Sequence, residues 1–203
     1  MTAPFGVILA GGRATRMGGG DKGLRVVAGR RLIDHVIARL APQVAGMAIN
    51  ANGDPARWSG FGLTVLPDSL PDHPGPLAGV LAGLDHAAAL GASAIVTCAA
   101  DTPFFPADLV ARLQASAGPS GLCLAASPDE TGVLQRHPTF GLWPVALRDD
   151  LRAALTGGLR KIVLWTDGHG AGTTLFDSQP FDPFFNVNTP EDLARAEALQ
   201  GIA

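Results

Sequence analysis

Four short apolar runs, each ending at glycine or a polar residue, constrain this chain more than any other feature. Phe5-Gly6-Val7-Ile8-Leu9 runs into Ala10-Gly11-Gly12, and Met47-Ala48-Ile49 runs into Asn50 and Asn52. Leu63-Thr64-Val65-Leu66 runs into Asp68, and Ile95–Ala99 runs into Asp101. Apolar runs of this length, bounded by such residues, read as strands buried on both faces. Helical spacing fills the intervals. Leu32, Ile33, Val36, Ile37 and Leu40 share one helical face, Leu77–Leu90 is rich in alanine and leucine, and Ala107–Ser116 follows Pro106. This alternation implies an α/β fold: a doubly wound, mostly parallel sheet with helices on both faces. In such a sheet ligands bind beyond the carboxyl ends of the strands, which is where these polar residues fall.

The second half is less regular. Gly121–Ala126 and Val133–His137 are expected to pair across a Ser127–Gly132 turn, and Val145–Leu155 reads as a helix. Ile162–Trp165 fits a helix or a strand, whereas Thr173–Asp177 and Phe184–Val187 read as short strands. Thr189 is the expected N-cap of a last helix that starts Pro190-Glu191-Asp192, with proline and two acids in its first turn. No internal repeat or low-complexity linker interrupts the 203 residues, so a single domain over 1–203 is expected, its second half packed on the first.

Composition closes off several classes. With 47% hydrophobic and 16% charged residues the chain folds around a core. A net charge of −3 disfavours a general nucleic-acid or anionic-membrane binder, which needs a basic face. Cys98 and Cys123 are far apart and form no C-x-x-C, so a thiolate zinc site is not expected. No basic segment followed by an apolar stretch opens the chain, and no apolar run nears the ~20 residues that span a bilayer. The expected location is the cytoplasm, without membrane contact.

The chemistry concentrates after the first strand. Gly18, Gly20 and Gly23 spell G-x-G-x-x-G, but not directly after the strand, and no acidic residue closes the second strand to hold a ribose. A dinucleotide site is therefore disfavoured, and a P-loop more so, because no Gly-Lys-Ser/Thr ends the loop. What remains is a glycine loop carrying Arg13, Arg16 and Lys22, suited to wrapping a triphosphate; the alternative is a surface loop without a ligand. Asp101, before Thr102-Pro103, is placed either to hold Mg²⁺ opposite such a loop or to cap a turn. Asp68 has the same two readings. His137-Pro138-Thr139 and Asn186-Val187-Asn188 lie at later strand ends, where His137 is structural or functional. No arrangement of serine, histidine and aspartate suggests a nucleophile relay.

These segments together resemble the molybdenum cofactor guanylyltransferases, within the wider nucleotidyltransferases. The resemblance is carried by Leu9-Ala10-Gly11-Gly12, Arg16-Met17-Gly18, Asp21-Lys22, Asn50-Ala51-Asn52, Asp68 and Gly75-Pro76-Leu77-Ala78-Gly79. It continues through Asp101-Thr102-Pro103, His137-Pro138-Thr139 and Phe185–Leu193, nearly the whole chain in order. Ala100 departs from relatives that often have cysteine there. The resemblance implies that Leu9, Ala10, Gly11, Gly12 and Lys22 contact GTP. It implies that Asn50 and Asp68 hold the guanine and ribose end, and that Asp101 contacts GTP and Mg²⁺. It further implies GMP transfer from GTP to molybdopterin or the molybdenum cofactor, with Lys22, Arg16 and Asp101 catalytic. The N-terminal half is then the nucleotide side and the C-terminal half mostly the acceptor side, with His137, Asn186 and Asn188 as acceptor-side residues. Proteins of molybdoenzyme maturation are the expected partners. The alternatives are a cytidylyl- or sugar-nucleotidyltransferase and a non-catalytic nucleotide-binding domain.

Overall fold

Alternation along the first strand decides the layering. The computed structural model describes residues 2–11, 20–70, 75–159 and 161–199. In β1 (Phe5–Leu9), Ile8 turns to one face of the sheet, into a cluster with Ile33, Val36 and Leu40 of α1 (Leu32–Leu40). Val7 and Leu9 turn to the other face, against Leu77, Val80, Leu81 and Leu84 of α2 (Pro76–Ala89). Helix α2 comes so close that a β-carbon on Gly83 would lie 2.7 Å from a methyl of Val7. A strand buried on both faces by helices is the arrangement the apolar runs imply.

The remaining strands are β4 (Met47–Asn50), β5 (Thr64–Leu66), β6 (Ala94–Ala99), β7 (Cys123–Pro128), β8 (Leu134–Pro144) and β9 (Gly172–Leu175). With β1 they form a seven-stranded sheet in the order β5-β4-β1-β6-β8-β7-β9. The pairs β1–β4, β1–β6, β4–β5 and β7–β9 are parallel, whereas β8 runs antiparallel between β6 and β7. A hairpin of β2 (Val26–Val27) and β3 (Arg30–Arg31) stands apart. Helix α3 (Leu109–Ala115) joins the α1 face through Leu109, Val110 and Leu113. Leu151 and Leu155 of α4 (Arg148–Thr156) and Ile162 and Trp165 of α5 (Ile162–Gly168) join the α2 face. The last helix, α6 (Pro190–Leu199), buries Ala196 with Val27 and Leu32 in a third cluster, which brings α6 beside the hairpin.

The segment Ile162–Trp165, open from sequence, is helical, and the Val145–Leu155 region divides into a 3-10 turn (Val145–Leu147) and α4. One expectation is corrected. Phe184–Val187 is not a strand, because local bonds take the donors a ladder would need: Phe184 N–H donates to Asp182 Oδ1 at 3.0 Å and Phe185 N–H to the Asp182 carbonyl at 3.1 Å. No described helix is long and apolar enough to cross a membrane.

Candidate functional site

The carboxyl ends of β1, β4, β5 and β6 are held in line by backbone bonds just past the strands. Ala10 N–H reaches the Asn50 carbonyl at 2.8 Å, Ala51 N–H reaches Leu66 at 3.0 Å, and Ala100 N–H reaches Leu9 at 3.0 Å. The chain visits β4 and β5 on one side of β1, then returns through α2 to β6 on the other. The strand order therefore reverses between β1 and β6, the switch point at which sheets of this kind form their ligand crevice.

Lys22 and Asp101 meet at that crevice. Lys22 begins a 3-10 turn, Lys22–Leu24, that packs on the end of β6: a β-carbon on Gly23 would lie 3.0 Å from that of Ala100. Glycine at position 23 is thus a packing requirement, with the Ala100 methyl filling the space a side chain there would need. Lys22 Nζ stands 3.4 Å from Asp101 Oδ2 and also donates to Asn188 Oδ1. The two charged side chains keep 21% and 18% of their surface, enough for a ligand to reach them. Asn188 is fixed by the start of α6. Asp192 Oδ2 accepts from the N–H groups of Asn188 and Thr189, both at 2.9 Å, and Thr189 Oγ1 caps Asp192 N–H at 3.1 Å. Asn186 accepts from Thr102 Oγ1, and Val187 N–H donates to the Asp101 carbonyl at 2.9 Å. The structure thus brings Lys22, Asp101, Asn186 and Asn188 together across 166 positions of sequence.

Asp101 also suits a divalent cation. Among the described residues its carboxylate has only the long 3.4 Å contact to Lys22, so acceptor capacity remains. Mg²⁺ is commonly held by one or two carboxylates with phosphate oxygens and waters supplying the rest. No cluster of three or more acidic, histidine or cysteine ligands occurs among the described residues.

A second wall is built from Asn50 and Asp68. Asn50 Nδ2 donates to Asp68 Oδ1 at 2.9 Å and to the Leu66 carbonyl at 3.1 Å, and Asn52 Nδ2 donates to Asp68 Oδ2 at 2.7 Å. Asn52 Oδ1 accepts in return from Asp68 N–H at 2.9 Å. Asn50 is only 4% exposed, and α2 presses on it: a β-carbon at Gly79 would stand 2.1 Å from Asn50 Oδ1. The next residue, Ser69, donates to Asp85 Oδ2 at 2.6 Å, and Asp85 is paired with Arg152 at 2.6 Å. Arg57 ties this wall to the Lys22 turn, bonding the Asn52 carbonyl and pairing with Asp21.

His137 lies on β8, farther along the same edge. Its Nε2 is 2.7 Å from Ser127 Oγ, which donates to Asp182 Oδ1 at 3.0 Å, and its ring stacks on Phe184. Burial lowers its pKa below the ordinary imidazole value, with Asp182 pulling the other way. A serine, a histidine and an aspartate do meet here. The serine lies between the other two and is fully buried, so this is not a nucleophile relay. Gly12, Arg13 and Arg16 lie outside the described residues; Leu9, Ala10 and Gly11 lie at the end of β1 as expected. Arg57, Ser69, Thr102, Ser127 and Asp182 were not singled out from sequence. Only Thr102, beside Asp101, carried a signal there.

Residues 6–169 match the family described as MobA-like NTP transferase domain. A molybdenum cofactor guanylyltransferase of Bradyrhizobium sp. (strain ORS 278) is 54% identical, over 99% of this chain and 95% of the relative. Among solved structures, molybdopterin-guanine dinucleotide biosynthesis protein A from Archaeoglobus fulgidus superposes with a TM-score of 0.70 at 23% identity, covering 98% of this chain and all of the other. A CMP:2-keto-3-deoxy-manno-octonic acid synthetase in complex with CTP superposes with a TM-score of 0.72 at 13% identity, covering 100% and 99% of the two chains. These two structural likenesses show a shared nucleotidyltransferase fold.

Proposed function

The chain belongs to the MobA-like NTP transferase family, among its molybdenum cofactor guanylyltransferases, and from that premise we propose how its own residues carry the reaction. The enzyme transfers GMP from GTP to molybdopterin or its molybdenum-loaded form, giving the guanine dinucleotide cofactor and pyrophosphate. The acceptor's terminal phosphate is already ionised near neutral pH, so in-line attack on the α-phosphorus needs no strong base. Positioning and charge carry the rate.

Leu9, Ala10, Gly11 and Gly12 present backbone groups to the triphosphate, and Lys22 with Arg16 neutralises the departing pyrophosphate. Asn50 and Asp68 hold the guanosine end. Asp101 would hold Mg²⁺, which when bound neutralises phosphate charge and polarises the α-phosphate. His137, Asn186 and Asn188 face the acceptor. The observation that carries this reading is the meeting of Lys22, Asp101 and Asn188 where the strand order reverses. The sheet runs through both halves, which supports one catalytic domain with a nucleotide side and an acceptor side. A labile pterin product is best handed directly to proteins of molybdoenzyme maturation, and a GTP-fed reaction belongs in the cytoplasm.

Pyrophosphate release tests the reading. GTP with molybdopterin and Mg²⁺ is expected to give pyrophosphate and the guanine dinucleotide; CTP or UTP, or omission of the acceptor, is expected to give little. Chelating the metal should stop the reaction and adding Mg²⁺ should restore it. Preference for CTP, or GTP binding with no turnover on any acceptor, overturns it.

A further inference from the structure

His137 sits where β8 bulges. Leu124 of β7 faces Gly141, but the next residue, Ala125, faces His137, so Pro138, Thr139 and Phe140 are looped out between them. Proline has no N–H for the ladder, and a bulge re-aims the side chains beside it. Here the imidazole lies flat on Phe184, with centroids 4.3 Å apart and planes 23° apart.

The hydrogen bonds fix where its proton is. Ser127 Oγ has one proton and two neighbours, His137 Nε2 at 2.7 Å and Asp182 Oδ1 at 3.0 Å. An ionised carboxylate only accepts, so the serine proton goes to Asp182 and Oγ must accept from Nε2–H. Were the serine to donate to the ring instead, lone pairs would face each other across 3.0 Å. Asp182 is itself anchored by the Phe184 N–H at 3.0 Å. With its proton on Nε2, the neutral ring offers a lone pair at Nδ1. Among the described residues Nδ1 has no hydrogen-bond partner.

The ring is also within reach of the crevice. Phe184, under His137, and Val187, bonded to the Asp101 carbonyl, are joined by about 10 Å of extended chain at most. We propose that His137 Nδ1 is a fixed hydrogen-bond acceptor for an N–H or amino edge of the acceptor's fused heterocycle, with Ser127 and Asp182 as its positioning residues. This rests on the guanylyltransferase reading, in which the acceptor's phosphate lies near Asp101 and its ring farther along the edge. A phosphate or carboxylate ligand does not suit a bare lone pair; a planar heterocycle with N–H donors does.

The test is carried out on the full chain. ¹⁵N NMR, with the ring assigned by its loss in His137→Gln, is expected to show Nε2 protonated and Nδ1 bare, and molybdopterin should shift Nδ1 while GTP alone should not. His137→Gln keeps a donor toward Ser127 but removes the Nδ1 acceptor, whereas Ser127→Ala keeps the ring but frees its tautomer. Both should raise the KM for molybdopterin roughly three- to tenfold and leave the KM for GTP unchanged. A proton on Nδ1 in the wild type, or an unchanged acceptor KM in His137→Gln, overturns the proposal. Should Ser127→Ala misfold, the NMR result and His137→Gln decide. Wild-type turnover with indifferent variants sinks only this subsite; no wild-type pyrophosphate from GTP and molybdopterin sinks the guanylyltransferase reading and the subsite with it.

Discussion

Lys22 shares its ammonium between a carboxylate 3.4 Å away and an amide oxygen, so an arriving phosphate competes with two modest partners rather than one tight pair. Lys22→Ala is therefore expected to depress GMP transfer far more than it lowers the melting temperature. Unfolding of that variant at room temperature would instead make Lys22 a structural residue. Asp101→Ala removes a side chain at a strand end, outside the apolar clusters, and should fold as the wild type does by circular dichroism. Its kcat should fall by about 10²-fold or more, the scale of a lost transition-state contact. Turnover near the wild-type level would remove Asp101 from the reaction. Both residues were legible in sequence because each stands at the end of a buried apolar run. Ser127 and Asp182 were not: serine and aspartate suit any loop, and the bonds that give them meaning join positions 55 apart.

The segment from Asp182 to Asn188 shows why element assignment failed where it did. Apolar Phe184, Phe185 and Val187 suggest a strand, yet Phe184 enters the cluster on the α1 face while Phe185 and Val187 join that under α6. A segment serving two cores, with Asp182 claiming its N–H groups, is a strap across the crevice instead. The strands β1, β4 and β6 were readable because one physical demand, burial on both faces, sets nearly every residue in them; β5, at the sheet edge with Thr64 exposed, was readable from its apolar run alone. Helix α2 was readable as a helix, but not its pressure on Asn50. Gly79→Ala tests that pressure. The added methyl would stand 2.1 Å from Asn50 Oδ1, and Asn50 cannot yield without breaking its bonds to Asp68 and Leu66. Alanine otherwise favours a helix over glycine by about 1 kcal/mol, so the helix itself gains. The expected outcome is a several-fold higher KM for GTP in a folded protein; an unchanged KM would separate Asn50 from the nucleotide.

Across the whole molecule, the parallel strands around β1 meet the antiparallel β8 along β6, and the second half of the chain hangs on that seam. One buried side-chain bond crosses it: Trp143 Nε1 donates to Thr97 Oγ1 at 2.9 Å, with both residues fully enclosed. Thr97→Val keeps the shape and strands the indole N–H, which should cost about 1–3 kcal/mol. Thr97 pairs with Val7 and bonds Trp143, neither of which is proposed to bind GTP or acceptor, so kcat and both KM values should hold. The form of the melt then bears on domain organisation. If nucleotide and acceptor sides are one cooperative unit, calorimetry of the variant gives a single transition at lower temperature, with calorimetric and van't Hoff enthalpies equal. A second transition appearing when the seam is weakened would divide the chain into two units. The strap from Asp182 to Asn188 argues for the single transition, because it bonds Ser127 in the second half and Lys22 in the first. Neither half can open without breaking contacts at both ends of the site.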